Sequence, residues 1–364
     1  MKKISQEHIL QALSHVIDPD LGKDLVSLNM IDEVQITKGR VKFRLILTTP
    51  ACPLKDYLKQ ACIAAIHEHV DKDLEVEVEL SSKVTTKRKE NEDLLKEVKN
   101  IVAVGSGKGG VGKSTVAVNL AIALAKTGAK VGLLDADIYG PSIPLMFGLL
   151  DEKARGYDRD GKAYVYPFEK YGIKMISIGF FVDQSKALVW RGPMASSALK
   201  QLVTDIEWGP LDYMVIDLPP GTGDIPLTLV QSFPLTGAIM VSTPQEVAIA
   251  DVRKAADMFR NEQIRIPILG LVENMAYFVP PDMPDKKYYI FGQSGCRKLA
   301  DDLNIPILGQ IPIEAAIADS GDSGKPVAAG DDSLTNQAFT KLAEAVAQQV
   351  AISNIIKEEM GVGD

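Results

Sequence analysis

One stretch constrains this chain more than any other: GSGKGGVGKST, Gly105 to Thr115, set directly behind the apolar run IVAV. Within it, Gly107 to Ser114 fit the pattern G-x-x-x-x-G-K-S. Without side chains in the way, the backbone N–H groups of Gly105, Ser106, Gly107, Gly109, Gly110, Val111 and Gly112 can approach an anion closely. The helix expected from Lys113 onward adds the positive end of its dipole. Lys113 then reaches β- and γ-phosphate oxygens, Ser114 offers a hydroxyl to magnesium, and Thr115 closes the loop. A glycine-rich turn with no ligand is the competing reading. Strand, loop, lysine, hydroxyl and helix in unbroken order argue against it.

The surroundings of that loop predict an α/β domain. From Val98 on, short runs rich in Val and Ile (IVAVGSG, VGLLDAD, IKMISIG, YMVIDLP, AIMVSTP, ILGLVEN and ILGQIP) alternate with helical stretches. Apolar runs of that length predict a mainly parallel sheet covered by helices on both faces, a P-loop NTPase architecture. A chain of 364 residues exceeds what one core fills, so a second, smaller unit is expected. It is visible at the start. Ser5 can cap a helix carrying Ile9, Leu13 and Val16, which Asp18-Pro19-Asp20 ends. VQITKGRVKFRLIL then reads as two strands joined at Lys38-Gly39, followed by a helix with Leu54, Leu58, Cys62 and Ile66 on one face and a strand over Glu75 to Leu80. The expected division is a small α+β domain over 1–82, a polar linker over 83–97 and the P-loop domain over 98–364.

Two strand ends carry acids. DADIYGPS places Asp135 and Asp137 behind one apolar run, and VIDLPPGTGD places Asp217 behind another, with Asp224 beyond it. Carboxylates at the carboxyl ends of parallel strands stand where such sheets bind ligands and can hold magnesium directly or through water. For Asp135 and Asp224 a turn or helix-capping role stays open.

The extra lysine, Lys108, sets this loop apart. KGGVGKS resembles the deviant Walker A loop of the family that includes MinD, ParA, the nitrogenase iron protein and the Mrp-type iron-sulfur cluster carriers. That resemblance implies ATP as ligand and a homodimer closed through the nucleotide face, with Lys108 and Lys113 both contacting phosphate and Lys108 reaching the partner's. It further implies Asp137 as the residue that orients water, Asp217 as the Walker B acid, magnesium held by Ser114, Asp137 and Asp217, and Asn274, Pro312 and Glu314 around the base. DADIYGPSIP, VWRGPM, DLPPGTGD and ENMAYF narrow the resemblance to the Mrp/ApbC branch. DPDLGKDLVSL and TTPACP resemble the iron-sulfur assembly factor domain often fused ahead of it. The implied activity is slow ATP hydrolysis coupled to carrying a [4Fe-4S] cluster to apoprotein clients or other assembly proteins.

One departure from that branch stands out. Its usual C-x-x-C pair after the ENM segment is missing: the chain reads FVPPDMPDKKYYIFG, with Pro280 and Met283 at those places. Neither side chain replaces a thiolate on iron. Cys52, at the reactive cysteine position of the small domain and ahead of a helix whose dipole favours thiolate, and Cys296 are the remaining candidates for cluster ligands. Both also suit the buried, inert role usual for free cysteine, and Cys62 is expected in the core. A switch or scaffold ATPase of the MinD and ParA kind, carrying no cluster, therefore stays as the alternative, and an ATP-dependent small-molecule synthetase is a weaker third.

Charge and composition exclude other classes. A net charge of -8 opposes non-specific duplex binding, so no nucleic-acid partner is expected. No apolar run approaches the ~20 residues needed to span a bilayer. Neither a signal peptide nor a cationic helix suited to anionic membranes is evident, so no membrane partner and a cytoplasmic location are expected. Three cysteines are too few for a disulfide framework.

Overall fold

The computed structural model describes residues 4–88, 94–138, 140–181, 203–331 and 333–359. The VWRGPM motif, residues 189–194, lies outside the described residues, as does the GVGD end of the chain.

The N-terminal unit is the expected α-β-β-α-β arrangement: α1 Gln6–Leu13, β1 Ile31–Thr37, β2 Arg40–Leu47, α2 Lys55–His69 and β3 Glu75–Ser82. Ser5 caps α1 by accepting the His8 N–H. The helix ends sooner than Asp18-Pro19-Asp20 implied, because the His15 and Val16 N–H groups already turn back to carbonyls three residues earlier. Strands β1 and β2 form an antiparallel hairpin, and β3 adds parallel to β2. Ile9, Leu13, Phe43, Leu58, Cys62 and Ile66 fill the core between this sheet and the two helices.

The remainder is built on an eight-stranded sheet. Its strands in chain order are β4 Val98–Gly105, β5 Val131–Asp135, β8 Phe168–Lys170, β9 Ile173–Ser177, β10 Leu211–Asp217, β11 Gly237–Ser242, β12 Ile268–Glu273 and β13 Ile307–Gln310. They lie in the order β13-β12-β11-β4-β10-β5-β9-β8, parallel throughout except for β8 at the edge. A separate hairpin, β6 Gly156–Arg159 with β7 Lys162–Val165, interrupts the series. All seven apolar runs are strands of the main sheet. The hairpin and β8 escaped the sequence reading because their short, polar, mostly exposed segments have no apolar face to reveal them.

Helices cover both faces. On one, α3 Lys113–Lys126 and α9 Leu334–Glu359 bury Val116, Leu120, Leu342 and Val346 against the sheet. On the other lie α5 Asp224–Ser232, α6 Glu246–Arg260 and α7 Gly295–Leu303, with Leu229, Phe259 and Leu299. Two short helices, α4 Ile143–Met146 and α8 Ala315–Asp322, stand beyond the carboxyl ends of the strands.

The described parts of the expected linker are tied down. Val84 is buried in the larger domain's core. Thr85 O accepts the side-chain amides of Asn100 and Asn354, and the Arg88 guanidinium donates to the carbonyls of Leu94, Leu95 and Val98. Further bonds join the two units: Tyr213 Oη donates to Thr49 Oγ1 at 3.0 Å, and Gln348 Nε2 to Asp20 Oδ2 at 2.7 Å.

Candidate functional site

Strand register assembles the site. Asp217 on β10 pairs with Asp135 on β5 and with Val104 on β4, so both acids emerge level with the start of the glycine loop. The loop is wedged in place. A Cβ at Gly107 would stand 2.1 Å from the backbone of Asp251 on α6, so only glycine fits there. Gly112 has φ +83°, a left-handed turn that aims the chain into α3.

Lys113 is 6% exposed, and its ammonium lies 2.7 Å from Asp217 Oδ1, 3.5 Å from Asp137 Oδ2 and 3.4 Å from Ser114 Oγ. Burying a charge this deeply requires a paired one, which Asp217 supplies. Burial pushes the Asp217 carboxyl above the ordinary range while Lys113 pulls it back. Asp217 Oδ2 is buried and has no hydrogen-bond partner among the described residues. A buried acceptor left in this state, beside a hydroxyl and a second carboxylate, fits a hydrated magnesium ion.

Asp135 resolves toward structure. Its carboxyl accepts the Asp137 N–H at 3.1 Å, the Ile143 N–H at 3.4 Å and the Ser177 hydroxyl at 2.8 Å, so it shapes the turn that presents Asp137. Burial and the charge of Asp217 push its pKa up. Asp224 is exposed in the first turn of α5 and does not line the site.

The loop faces a cleft of about 530 Å³ lined by Ser106, Lys108, Gly109, Gly110, Gly112 to Thr115, Asp137, Asn274, Pro312 and Glu314. Gly105, Gly107 and Val111 back this lining as the loop's support. Asn274, 5% exposed, donates from Nδ2 to Val111 O at 2.8 Å, stapling β12 to the loop. Glu314 precedes α8 and accepts the Thr335 hydroxyl. The apolar wall comprises Leu145, Met146, Met275, Ile313 and Ile317, none anticipated from sequence. Those residues come from separate segments of the chain, and only Met275 lies in one of the stretches singled out by sequence, ENMAYF.

The cysteines do not converge with this site. Cys296 is fully buried, its Sγ 3.8 Å from Thr243 O, and burial with the Glu273 charge pushes its thiol up. Cys62 is core, as expected, its thiol pushed up to about 12. Cys52 is half-buried, and burial together with Asp18 and Asp20 raises its pKa. That is opposite to the thiolate-favouring shift expected from its place before α2, because burial, with Asp18 and Asp20 adding to it, outweighs the Leu54 backbone N–H at the helix end. Among the described residues no group of three His, Cys, Asp or Glu side chains could hold a metal, and no helix is long and apolar enough to cross a membrane.

A parallel sheet with a glycine loop, a buried lysine and a strand-end acid at its carboxyl edge defines a P-loop NTPase. Residues 97–347 match the model of the NUBPL iron-transfer P-loop NTPases, and residues 6–80 that of the iron-sulfur cluster assembly proteins. The chain belongs to this family. It is 44% identical over 359 residues to an iron-sulfur cluster carrier protein of Synechocystis, covering 97% of this chain and 100% of the relative. A carrier protein of Deinococcus radiodurans is 44% identical over 348 residues, 95% of this chain and 96% of its own. Among solved structures, a nucleotide-binding protein of Archaeoglobus fulgidus in complex with ADP is similar at TM-score 0.57 and 40% identity, covering 66% of this chain and 93% of its own.

Proposed function

We propose that the protein is a homodimeric, ATP-hydrolysing iron-sulfur cluster carrier of the cytosol, serving apoprotein clients or other assembly proteins. The observation that supports this most is the buried Lys113–Asp217 pair at the foot of the glycine loop, in a chain whose relatives carry clusters. Asp217 holds the Lys113 ammonium in place before nucleotide arrives, so it is already positioned when β- and γ-phosphates enter. Ser114, Asp217 and Asp137 would hold magnesium, which neutralises phosphate charge. Asp137 orients the attacking water, and Asn274, Pro312 and Glu314 border the base. Lys108 supplies a second cation, lent to the phosphates of the other subunit. Cleavage of the γ-phosphate removes the charge that Lys108 spans the interface to meet, and the dimer loosens.

The cargo contact falls to Cys52, since Cys62 and Cys296 are fully buried. Lys113→Ala is expected to lower ATP turnover by at least about a hundredfold while the fold persists; turnover at the wild-type level would contradict the assignment. Anaerobic reconstitution with iron and sulfide, followed by transfer to an apo-ferredoxin, should succeed with wild type and fail with Cys52→Ala. A wild-type chain that hydrolyses ATP but takes up no chromophore would favour the cargo-free switch, the reading that the Pro280 and Met283 substitutions support.

A further inference from the structure

The amino ends of the central strands carry a second cleft, on the opposite edge of the sheet from the nucleotide site. Three of the chain's ten tyrosines, Tyr157, Tyr164 and Tyr166, fall in the β6–β7 hairpin and the residue directly after it. Register sets Tyr157 opposite Tyr164 and Arg159 opposite Lys162, so rings and cations share one face of the hairpin. The rings stack, with Tyr157 lying 5.7 Å from Tyr164 and 4.7 Å from Tyr166, and the Arg159 guanidinium stands 5.3 and 5.5 Å from the Tyr157 and Tyr164 centroids. Backbone bonds from Val165 N to Asp205 O at 2.7 Å and from Glu207 N to Val165 O at 3.0 Å fix the hairpin against the segment before β10. There it helps to enclose a cleft of about 590 Å³, whose lining includes Tyr157, Tyr164, Arg159, Glu97, Glu207 and Trp208. Trp208 is 4% exposed, and its Nε1 is buried with no hydrogen-bond partner among the described residues. A buried indole N–H ordinarily has a partner, so this cleft holds an unmet donor.

We propose that this cleft binds an uncharged, planar, fused heteroaromatic ring with carbonyl or ring-nitrogen acceptors on its edge, the chemistry shared by flavins and purine bases. The tyrosines supply faces on which such a ring stacks. The Trp208 N–H supplies a directional contact that an edge acceptor completes and a hydrocarbon ring would leave unmet. The charges favour a neutral ligand. Arg159 pairs with Glu207 at 3.0 Å and Lys162 with Asp205 at 3.3 Å, so an anion or a cation would have to break one pair to form another. The volume falls within the range of small-molecule sites. Glu97 immediately precedes β4, and Trp208 lies just before β10, whereas the glycine loop and Asp217 stand at the other ends of those two strands. A strand of seven or eight residues separates the two sites by roughly 20 Å, so each can fill without blocking the other.

The test is equilibrium dialysis of the full chain against riboflavin and, separately, guanosine, each with and without magnesium and a non-hydrolysable ATP analogue. Saturable uptake of one probe or both is expected, unchanged by the analogue, and which of them is held tells a flavin-like from a purine-like ligand. Tyr164→Ala should weaken uptake by about tenfold or more, and Tyr164→Phe should keep it, since stacking needs the ring and not the hydroxyl. Trp208→Phe should weaken it by about threefold to tenfold, the loss of one hydrogen bond. Tyr164 is only half-buried, so its two variants carry the test if the Trp208→Phe chain does not fold. No saturable uptake of either probe up to about 1 mM would overturn the proposal. So would uptake that Tyr164→Ala leaves intact, or uptake that the analogue abolishes, which would place the ring in the nucleotide cleft instead.

Discussion

The glycine loop before α3 and the Cys52 loop before α2 are two versions of one local design: a strand, a short loop and a helix that begins with no side-chain cap. Both offer bare N–H groups and a helix dipole, and both would favour an anion if nothing else were near. Their neighbours differ. The glycine loop has Lys113 inside it and Lys108 at its rim, and Asp217 and Asp137 share the Lys113 ammonium as their partner. The Cys52 thiol is raised first by burial and then by Asp18 and Asp20, against the Leu54 N–H and the Lys55 ammonium. A helix end is thus permissive, and the burial and charge brought to it by the rest of the chain decide whether an anion is stabilised there.

Three changes would break or sharpen this contrast. The largest effect is expected from Gly107→Ala, whose new methyl meets the α6 backbone. Overpacking of that kind costs about 1–3 kcal/mol and displaces the loop. A thermal melt and a fluorescent-nucleotide titration should show both the loss of stability and the loss of binding; wild-type affinity would mean that the wedge against α6 is not what shapes the anion site.

Next in size is the Cys52 thiol. Asp18→Asn with Asp20→Asn keeps the turn acceptors but removes the charges that raise its pKa. Alkylation of Cys52 by iodoacetamide at neutral pH should quicken by about threefold to tenfold. The sign follows from the shift: with the acids present the thiolate is scarce at neutral pH and grows as pH rises, so the two proteins should converge in alkaline buffer. Equal rates at neutral pH would show that burial alone governs the thiol.

The smallest change concerns the joint between the two regions. Tyr213→Phe removes the hydroxyl that reaches Thr49, three residues before Cys52 on the strand-to-helix loop, and should cost about 1 kcal/mol in chemical denaturation. If the loop is held by that bond, limited proteolysis after residue 47 should also quicken; an unchanged digest would place the joint elsewhere, on Ala51 and Asp20.

Much of the fold was open to reading because it is written locally. The seven apolar runs, the hairpin at Gly39 and the Ser5 cap each depend on a few adjacent residues. The short strands of 156–170 were not: they pair with near neighbours in the chain, but their own pattern is short and polar and shows no apolar face. Asp135 shows another limit in the site: on paper it equals Asp137, yet Ser177 and the Ile143 N–H claim it for the turn.

By itself, then, the chain order of Gly105 to Thr115 determined the glycine-lined nest and the lysine at its end, because such a nest needs only contiguous backbone and one lysine. What tertiary structure decided was which acid meets that lysine, which thiol solvent reaches and which charges lie beside it. Those depend on strand register and on distant segments packed together, and electrostatic energy follows distance through space rather than separation along the chain.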